Sequence, residues 1–191
     1  MKKCFTLFII VLFPLVQFAQ DISRVTSVVD STHVDNMVLI QTFEINTPLE
    51  NVWNAYTTKK GWESWAVPVA AIDFRIGGLI QTNYNKEAKI GDEGTIRLHI
   101  KNYVPKKMLT LQAELTENFP EFMKEDAQNL YNVIVFEKIE VSKTKVISYG
   151  IGYKNTEKYL SLLKFFISGN EKSYLNLISY LETGQPSVKY E

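Results

Sequence analysis

The stretch Phe43–Gly78 reads FEINTPLENVWNAYTTKKGWESWAVPVAAIDFRIGG. An extended run, Phe43–Asn46, leads into Pro48, which opens a short helix over Pro48–Thr57. Thr47 is the expected N-cap and Pro48 the expected N1 residue, where a missing N–H costs nothing. Glu50, three residues after Thr47, completes a T-x-x-E capping box. Val52, Trp53 and Tyr56 recur at helical spacing and give the helix one apolar face. Gly61 ends that helix or starts the turn after it, and Lys59–Ser64 reads as a second helical turn. Ile72, Phe74 and Ile76 alternate with Ala71, Asp73 and Arg75, the pattern of a half-buried strand. Gly77-Gly78 then punctuates a tight hairpin into Leu79–Asn85. Trp53, Trp62 and Trp65, the three tryptophans of the chain, all fall inside this stretch.

Working outward, Met37–Ile45 is the expected first strand, and Gln20–Asn36 before it a polar lead segment, partly ordered at best. After the hairpin come Gly94–Tyr103, with Ile96, Leu98 and Ile100 on one face, and Met108–Leu115, with Leu109, Leu111, Ala113 and Leu115 inward. Phe119–Gln128 contains a Pro-led helical turn and reads either as a surface decoration, which is favoured, or as a lid over a cavity mouth. Two strands follow, Leu130–Glu140 and Lys145–Tyr153. The expected inward sets are Tyr131, Val133 and Val135, then Ile147, Tyr149 and Ile151. Ile134 and Phe136 make the first of these apolar on both faces. Gly150-Ile151-Gly152 inside a strand pattern signals a bulge or a close packing contact. The last element is a long helix, Thr156–Thr183, carrying Leu160, Leu163, Ile167, Tyr174, Ile178 and Leu181 at helical spacing, with Leu162, Phe165, Phe166 and Leu177 widening the apolar face. Gly169 marks a close approach to the sheet, a bend, a place left for a ligand, or a break into two helices at Ser168-Gly169-Asn170.

A strand, a Pro-led helix with Val52-Trp53-Asn54-Ala55, a downstream Trp65 and then Arg75-Ile76-Gly77-Gly78 follow one another in an order that resembles the START-like (SRPBCC) superfamily, in the branch related to the activator of Hsp90 ATPase. The resemblance covers roughly residues 37–184. It implies an α+β helix-grip fold, a curved antiparallel β-sheet wrapped around a long C-terminal α-helix. It also implies a hydrophobic cavity between the two.

The N-terminal segment has the form of a signal peptide over residues 1–19: Lys2 and Lys3, then the apolar run Phe5–Val16, then Ala19 before the cut. The run is short and interrupted by Pro14, so no stable membrane span is expected after cleavage. The expected organisation is signal peptide, lead segment 20–36, one domain over 37–184 and a tail over 185–191. The expected location is periplasmic or extracellular. Cys4 is the single cysteine and would leave with the signal, so the mature chain has no disulfide, thiolate metal site or cysteine nucleophile. Lysine plus arginine and aspartate plus glutamate both number 21. With no basic tract, nucleic acid is not an expected partner.

Chemistry is thinly marked. His33 and His99 stand apart, with no metal-ligand spacing. There is no nucleophile elbow, phosphate loop or dinucleotide fingerprint, so no catalytic residue, metal or cofactor is assigned. Glu44, Asp73, Arg75, Arg97 and Glu114 lie opposite the apolar sets of their strands and read as solvated. The candidates to line a cavity are aromatic: Tyr84, Tyr149, Tyr153, Phe166 and Tyr174, whose rings bury well and whose hydroxyls orient a bound molecule. Trp53, Trp65 and Phe74 belong to the same aromatic set, with both tryptophans read as core. The favoured function is non-enzymatic binding of a small hydrophobic ligand, a lipid or aromatic metabolite. The alternatives are an enzyme of the same fold acting on a cyclic or aromatic substrate, and a protein-binding module.

Overall fold

The computed structural model describes residues 23–188. The expected signal peptide and the end of the tail, residues 189–191, lie outside the described residues. Eight strands form one antiparallel sheet: β1 (Val25–Asp30), β2 (Asn36–Ile45), β3 (Val69–Ile72), β4 (Leu79–Asn83), β5 (Ile96–Val104), β6 (Met108–Ala113), β7 (Tyr131–Glu140) and β8 (Lys143–Lys154). Their spatial order is β1-β2-β8-β7-β6-β5-β4-β3. Helices α1 (Leu49–Thr57) and α2 (Lys59–Trp65) carry the chain from β2 across to the far edge. Helix α3 (Glu121–Glu125) and a 3₁₀ turn (Ala127–Asn129) sit between β6 and β7, and α4 (Glu157–Thr183) closes the fold. The sheet curves around α4, which is the α+β helix-grip arrangement expected.

The lead segment is more ordered than its polarity suggests. Val25–Asp30 pairs along β2, from Val25 opposite Phe43 to Asp30 opposite Val38. Val25 is buried in the core, and Ser27 reaches inward to Gln41. The segment also carries Arg24, which pairs with Glu182 near the end of α4 at 2.8 Å. Glu182 accepts from both the backbone and the side-chain nitrogen of Asn46 as well, so its carboxylate is held below the usual range, chiefly by Arg24.

The opening stretch folds much as its pattern indicates, with two local departures. Thr47 does not cap α1. Pro48 is the N-cap residue, Thr47 Oγ1 accepts instead from Asn51, and Glu50 pairs with Lys106, so no capping box forms. The strand ends at Ile72 rather than Ile76: Ile76 is exposed, and residues 73–78 form a loop whose Gly77 N–H donates to the Ile100 carbonyl of β5. Gly78 is obligatory there, because a Cβ would lie 2.0 Å from the Asp73 carbonyl oxygen.

The alternation on the last two strands is one residue out of step with expectation. Ile134 and Phe136 point to the core, leaving Tyr131, Val133 and Val135 half-buried. On β8 the inward set is Thr144, Val146, Ser148 and Gly150, so Tyr149 falls on the outer face, between Ile40 and Val133 in the cross-strand pairs. Ile147 and Ile151 share that face by the same alternation. A bulge then resets the phase. Met37 pairs with Tyr153 and Leu39 with Gly150, so β8 carries one extra residue, and Gly152 at φ +89° absorbs it. Tyr153 is thereby turned inward.

Helix α4 is continuous. Gly169 is exposed, and a Cβ there would meet nothing within 4 Å, so it marks neither a break nor a close approach. Thr156 caps the helix by accepting from the Tyr159 N–H, and Gly184, left-handed at φ +79°, ends it. The apolar face is narrower than expected: Phe165 is 73% exposed and Leu160 is 40% exposed.

Candidate functional site

The core is in two parts. One cluster gathers Phe43, Trp53, Tyr56, Trp65, Phe136 and Tyr174 around α1 and α2. The other gathers Met37, Leu39, Met123, Leu130, Tyr159 and Leu163 around α3 and the first turns of α4. Between Leu163 and Tyr174 no residue of α4 is fully buried. The space beneath this part of the helix is a cavity of about 340 Å³, walled by members of both clusters. That is the size at which a small organic molecule is enclosed.

The buried end of the cavity is built by the opening stretch. Gly61 lets α2 approach α1 closely, since a Cβ would lie 2.4 Å from the Asn54 carbonyl oxygen. The last carbonyls of α1 lack helical partners. Trp62 Nε1 donates to the Tyr56 carbonyl at 2.8 Å and Trp65 Nε1 to the Ala55 carbonyl at 3.1 Å. The two indoles are thus fixed at the cavity wall beside Tyr56. Trp53 is not part of the wall; it packs edge-on against Phe74 and Phe136 in the core behind.

A polar strip runs along the sheet side. Tyr174 donates to Ser148 Oγ at 2.9 Å, and Asn132 Nδ2 donates to the same oxygen at 2.9 Å. Asn170 Nδ2 donates to Gln41 Oε1 at 2.8 Å, Gln41 donates to Ser27, and Ser27 donates to Glu171 on the far side. Burial holds the Tyr174 phenol above its ordinary pKa, and Tyr153 is pushed up to about 12 for the same reason. Tyr56 is raised well above its ordinary value, by burial first and by the nearby Tyr174 second. All three are neutral hydroxyls at physiological pH.

The segment 119–128 forms a roof, not a decoration. Phe119 and Met123 line the cavity, and Met123 is buried. The roof is pinned by Asp126, which accepts from the Tyr159 hydroxyl at 2.9 Å and pairs with Lys154 at 2.7 Å. Those contacts, Lys154 foremost, hold the Asp126 carboxyl below its usual range. The exposed end of the cavity lies at Tyr84, 51% exposed, with Ile96, Ala113 and Leu115 beside it.

Of the five aromatic residues expected from sequence, Tyr84, Tyr153, Phe166 and Tyr174 line this one cavity, and Tyr149 does not. Sequence reasoning missed Tyr56, Asn132 and Asn170, and it ranked the roof behind a surface decoration. Trp65, read as core, is also wall. Among the described residues, no lining side chain is Asp, Glu, Lys, Arg or His. The charged strand residues lie outside: Glu44 pairs with Lys143, Asp73 with Arg75, and Arg97 with Glu114. No cluster of His, Cys, Asp and Glu suited to a metal ion occurs among the described residues.

Comparison with known proteins follows the same lines. Residues 46–182 match the model of the family described as activator of Hsp90 ATPase homolog 1-like protein. The chain belongs to this family. The Hsp90-activator-like match begins at the residue before Thr47 and ends inside the last turn of α4, so it spans every residue that lines the cavity and leaves Met37, Leu39 and Phe43 of the core outside it. No curated protein sequence matches the chain. Solved structures share its fold. The Aha1 dimer of Colwellia psychrerythraea, determined in solution, aligns with a TM-score of 0.59 at 18% identity, covering 77% of this chain and 97% of that one. CalU16 from Micromonospora echinospora aligns at 0.58 and 17%, covering 85% and 84%. PFC0360w, an Hsp90 activator from Plasmodium falciparum, aligns at 0.54 and 16%, covering 74% and 93%. No helix among the described residues is long and apolar enough to cross a membrane.

Proposed function

We propose that this Hsp90-activator-like chain is an exported binding protein that encloses a small hydrophobic molecule, a lipid or aromatic metabolite, between its sheet and α4. The observation that carries the reading is the cavity itself, which parts the core and is walled by aromatic, aliphatic and uncharged polar side chains. A folded interior is normally filled to crystal-like density, and an unfilled apolar space forfeits contacts that a ligand restores. Each Å² of apolar ligand surface buried there contributes about 25 cal/mol before ordering costs.

The lining favours a binder over a catalyst. General acid–base chemistry near neutral pH needs a group that titrates there, and the wall offers phenols held neutral and amides already engaged. Export rests on Lys2, Lys3 and the apolar run Phe5–Val16, and agrees with a chain free of cysteine after Cys4.

Native mass spectrometry of protein purified from its own host tests the reading. A small molecule of constant mass, released on denaturation, is the expected result. Consistently unliganded spectra, together with no binding of apolar fluorescent probes, would overturn it.

A further inference from the structure

At the buried end of the cavity one polar atom stands without a partner. The Tyr56 side chain is 2% exposed, and its hydroxyl makes no hydrogen bond to any described residue. A buried donor left in this state costs about 1–3 kcal/mol, and such atoms are uncommon in folded proteins. The neighbouring groups do not relieve it. Tyr174 spends its proton on Ser148, Asn132 donates to the same Ser148, and Asn170 donates to Gln41. Tyr56 is a lining residue of the cavity, and its hydroxyl proton is committed to no described residue.

The surroundings restrict what can meet it. With no cationic side chain in the wall, a carboxylate, sulfate or phosphate would have to leave water without a counter-charge. With no carboxylate there, an ammonium would fare no better. Trp62, Trp65, Phe166 and Tyr153 offer flat apolar surfaces along the path from the exposed end to Tyr56.

We propose that Tyr56 is the recognition residue of the cavity, and that the ligand is a neutral, largely apolar ring ketone or quinone whose carbonyl oxygen accepts the Tyr56 hydroxyl. This rests on the ligand-binding reading above and gives it a chemical class. The carbonyl enters first and the apolar body follows, ending near Tyr84.

Three naphthalene probes on one dimethylamino frame test it with the full-length mature chain: a propionyl ketone, the corresponding propyl compound without the carbonyl, and the carboxylate. The ketone is expected to bind, the carboxylate to bind at least about tenfold more weakly, and Tyr56→Phe to weaken the ketone by about tenfold while leaving the propyl compound unchanged, the loss of one hydrogen bond to an otherwise intact site. In infrared spectra the bound ketone's carbonyl stretch should move to lower frequency in the wild type and return in Tyr56→Phe. Unchanged ketone affinity and stretch in Tyr56→Phe would overturn the proposal, with a water left as the hydroxyl's partner, while binding of both neutral probes would keep the ligand-binding reading. Equal binding of the carboxylate would overturn the neutral class. Failure of both neutral probes to bind would instead sink the ligand-binding reading itself. Should Tyr56→Phe not fold, the wild-type stretch alone decides: a carbonyl frequency matching that in a hydrocarbon solvent would refute the contact.

Discussion

Gly152 lies against Asn129 so closely that a Cβ on it would stand 1.9 Å from the Asn129 carbonyl oxygen. The contact joins the β8 bulge, which turns Tyr153 into the cavity, to the 3₁₀ turn at the end of the roof. Both the backbone clash and the positive φ oppose any side chain there. Gly152→Ala is expected to destabilise the protein by at least about 2 kcal/mol. Gly169→Ala, in open space on an exposed helical turn, should stabilise it by about 0.5–1 kcal/mol. Urea denaturation of the pair, with opposite signs, checks the assignment of each glycine.

Asn176 is buried and fully used. Its amide donates to the Trp65 and Val188 carbonyls, and its oxygen accepts from Ser187 and from the Val188 N–H. Asn176→Ala strands the Trp65 carbonyl beside the cavity wall and frees the segment after Gly184. A loss of about 2–3 kcal/mol is expected, with faster proteolytic cleavage between Gly184 and Val188. Cleavage at the wild-type rate would show that the amide does not hold the segment.

Stability should fall at both ends of the pH scale, for different groups. The folded pKa of Asp126 is depressed, so its contribution is complete above the unfolded value near 4 and disappears as pH falls through the lower folded value. Glu182 acts in the same direction through Arg24. Tyr153 is raised to about 12, so its contribution is complete below the unfolded value near 10 and disappears as pH climbs from there through about 12. Tyr56 and Tyr174 add to the alkaline limb. Denaturation midpoints measured across pH should show the acid limb flattened by Asp126→Asn and the alkaline limb reduced by Tyr153→Phe.

Ala113 stands at the exposed end of the cavity and is itself exposed. Ala113→Trp should obstruct entry without disturbing the core. Probe affinity is expected to drop by more than about tenfold, while thermal stability shifts by no more than about 1 kcal/mol. A large stability loss with unchanged affinity would place the entry elsewhere.

Most of the strands, the helix pair and α4 were legible because each rests on a local rule: Pro48 opens a helix, Gly184 ends one, and period-two runs make strands. The phase of β7 and β8 was not. Val133, Ile134, Val135 and Phe136 are all apolar, so alternation carries no sign, and the decision lies in pairing with β6 and β8 and packing against elements distant along the chain. Tyr153 was named for the cavity on its aromatic ring alone, and the bulge is what turns it inward. The Thr47–Glu50 capping box failed because Asn51 and Lys106 compete for its two side chains. Tyr56 was read as one more apolar position of α1, and its ring does pack that way. Only its three-dimensional neighbours reveal that its hydroxyl has nothing to bond.

The two indoles locked onto the α1 carbonyls have an optical consequence. Trp62 and Trp65 face the cavity and Trp53 does not, so among the chain's three intrinsic fluorophores two sit where a ligand would land and one serves as an internal constant. Their N–H groups are already bonded to Tyr56 and Ala55, so a ligand alters the polarity around the rings without displacing those bonds. Emission from the unlabelled protein is thus a direct gauge of occupancy, and libraries of neutral carbonyl compounds can be screened against it with no dye attached.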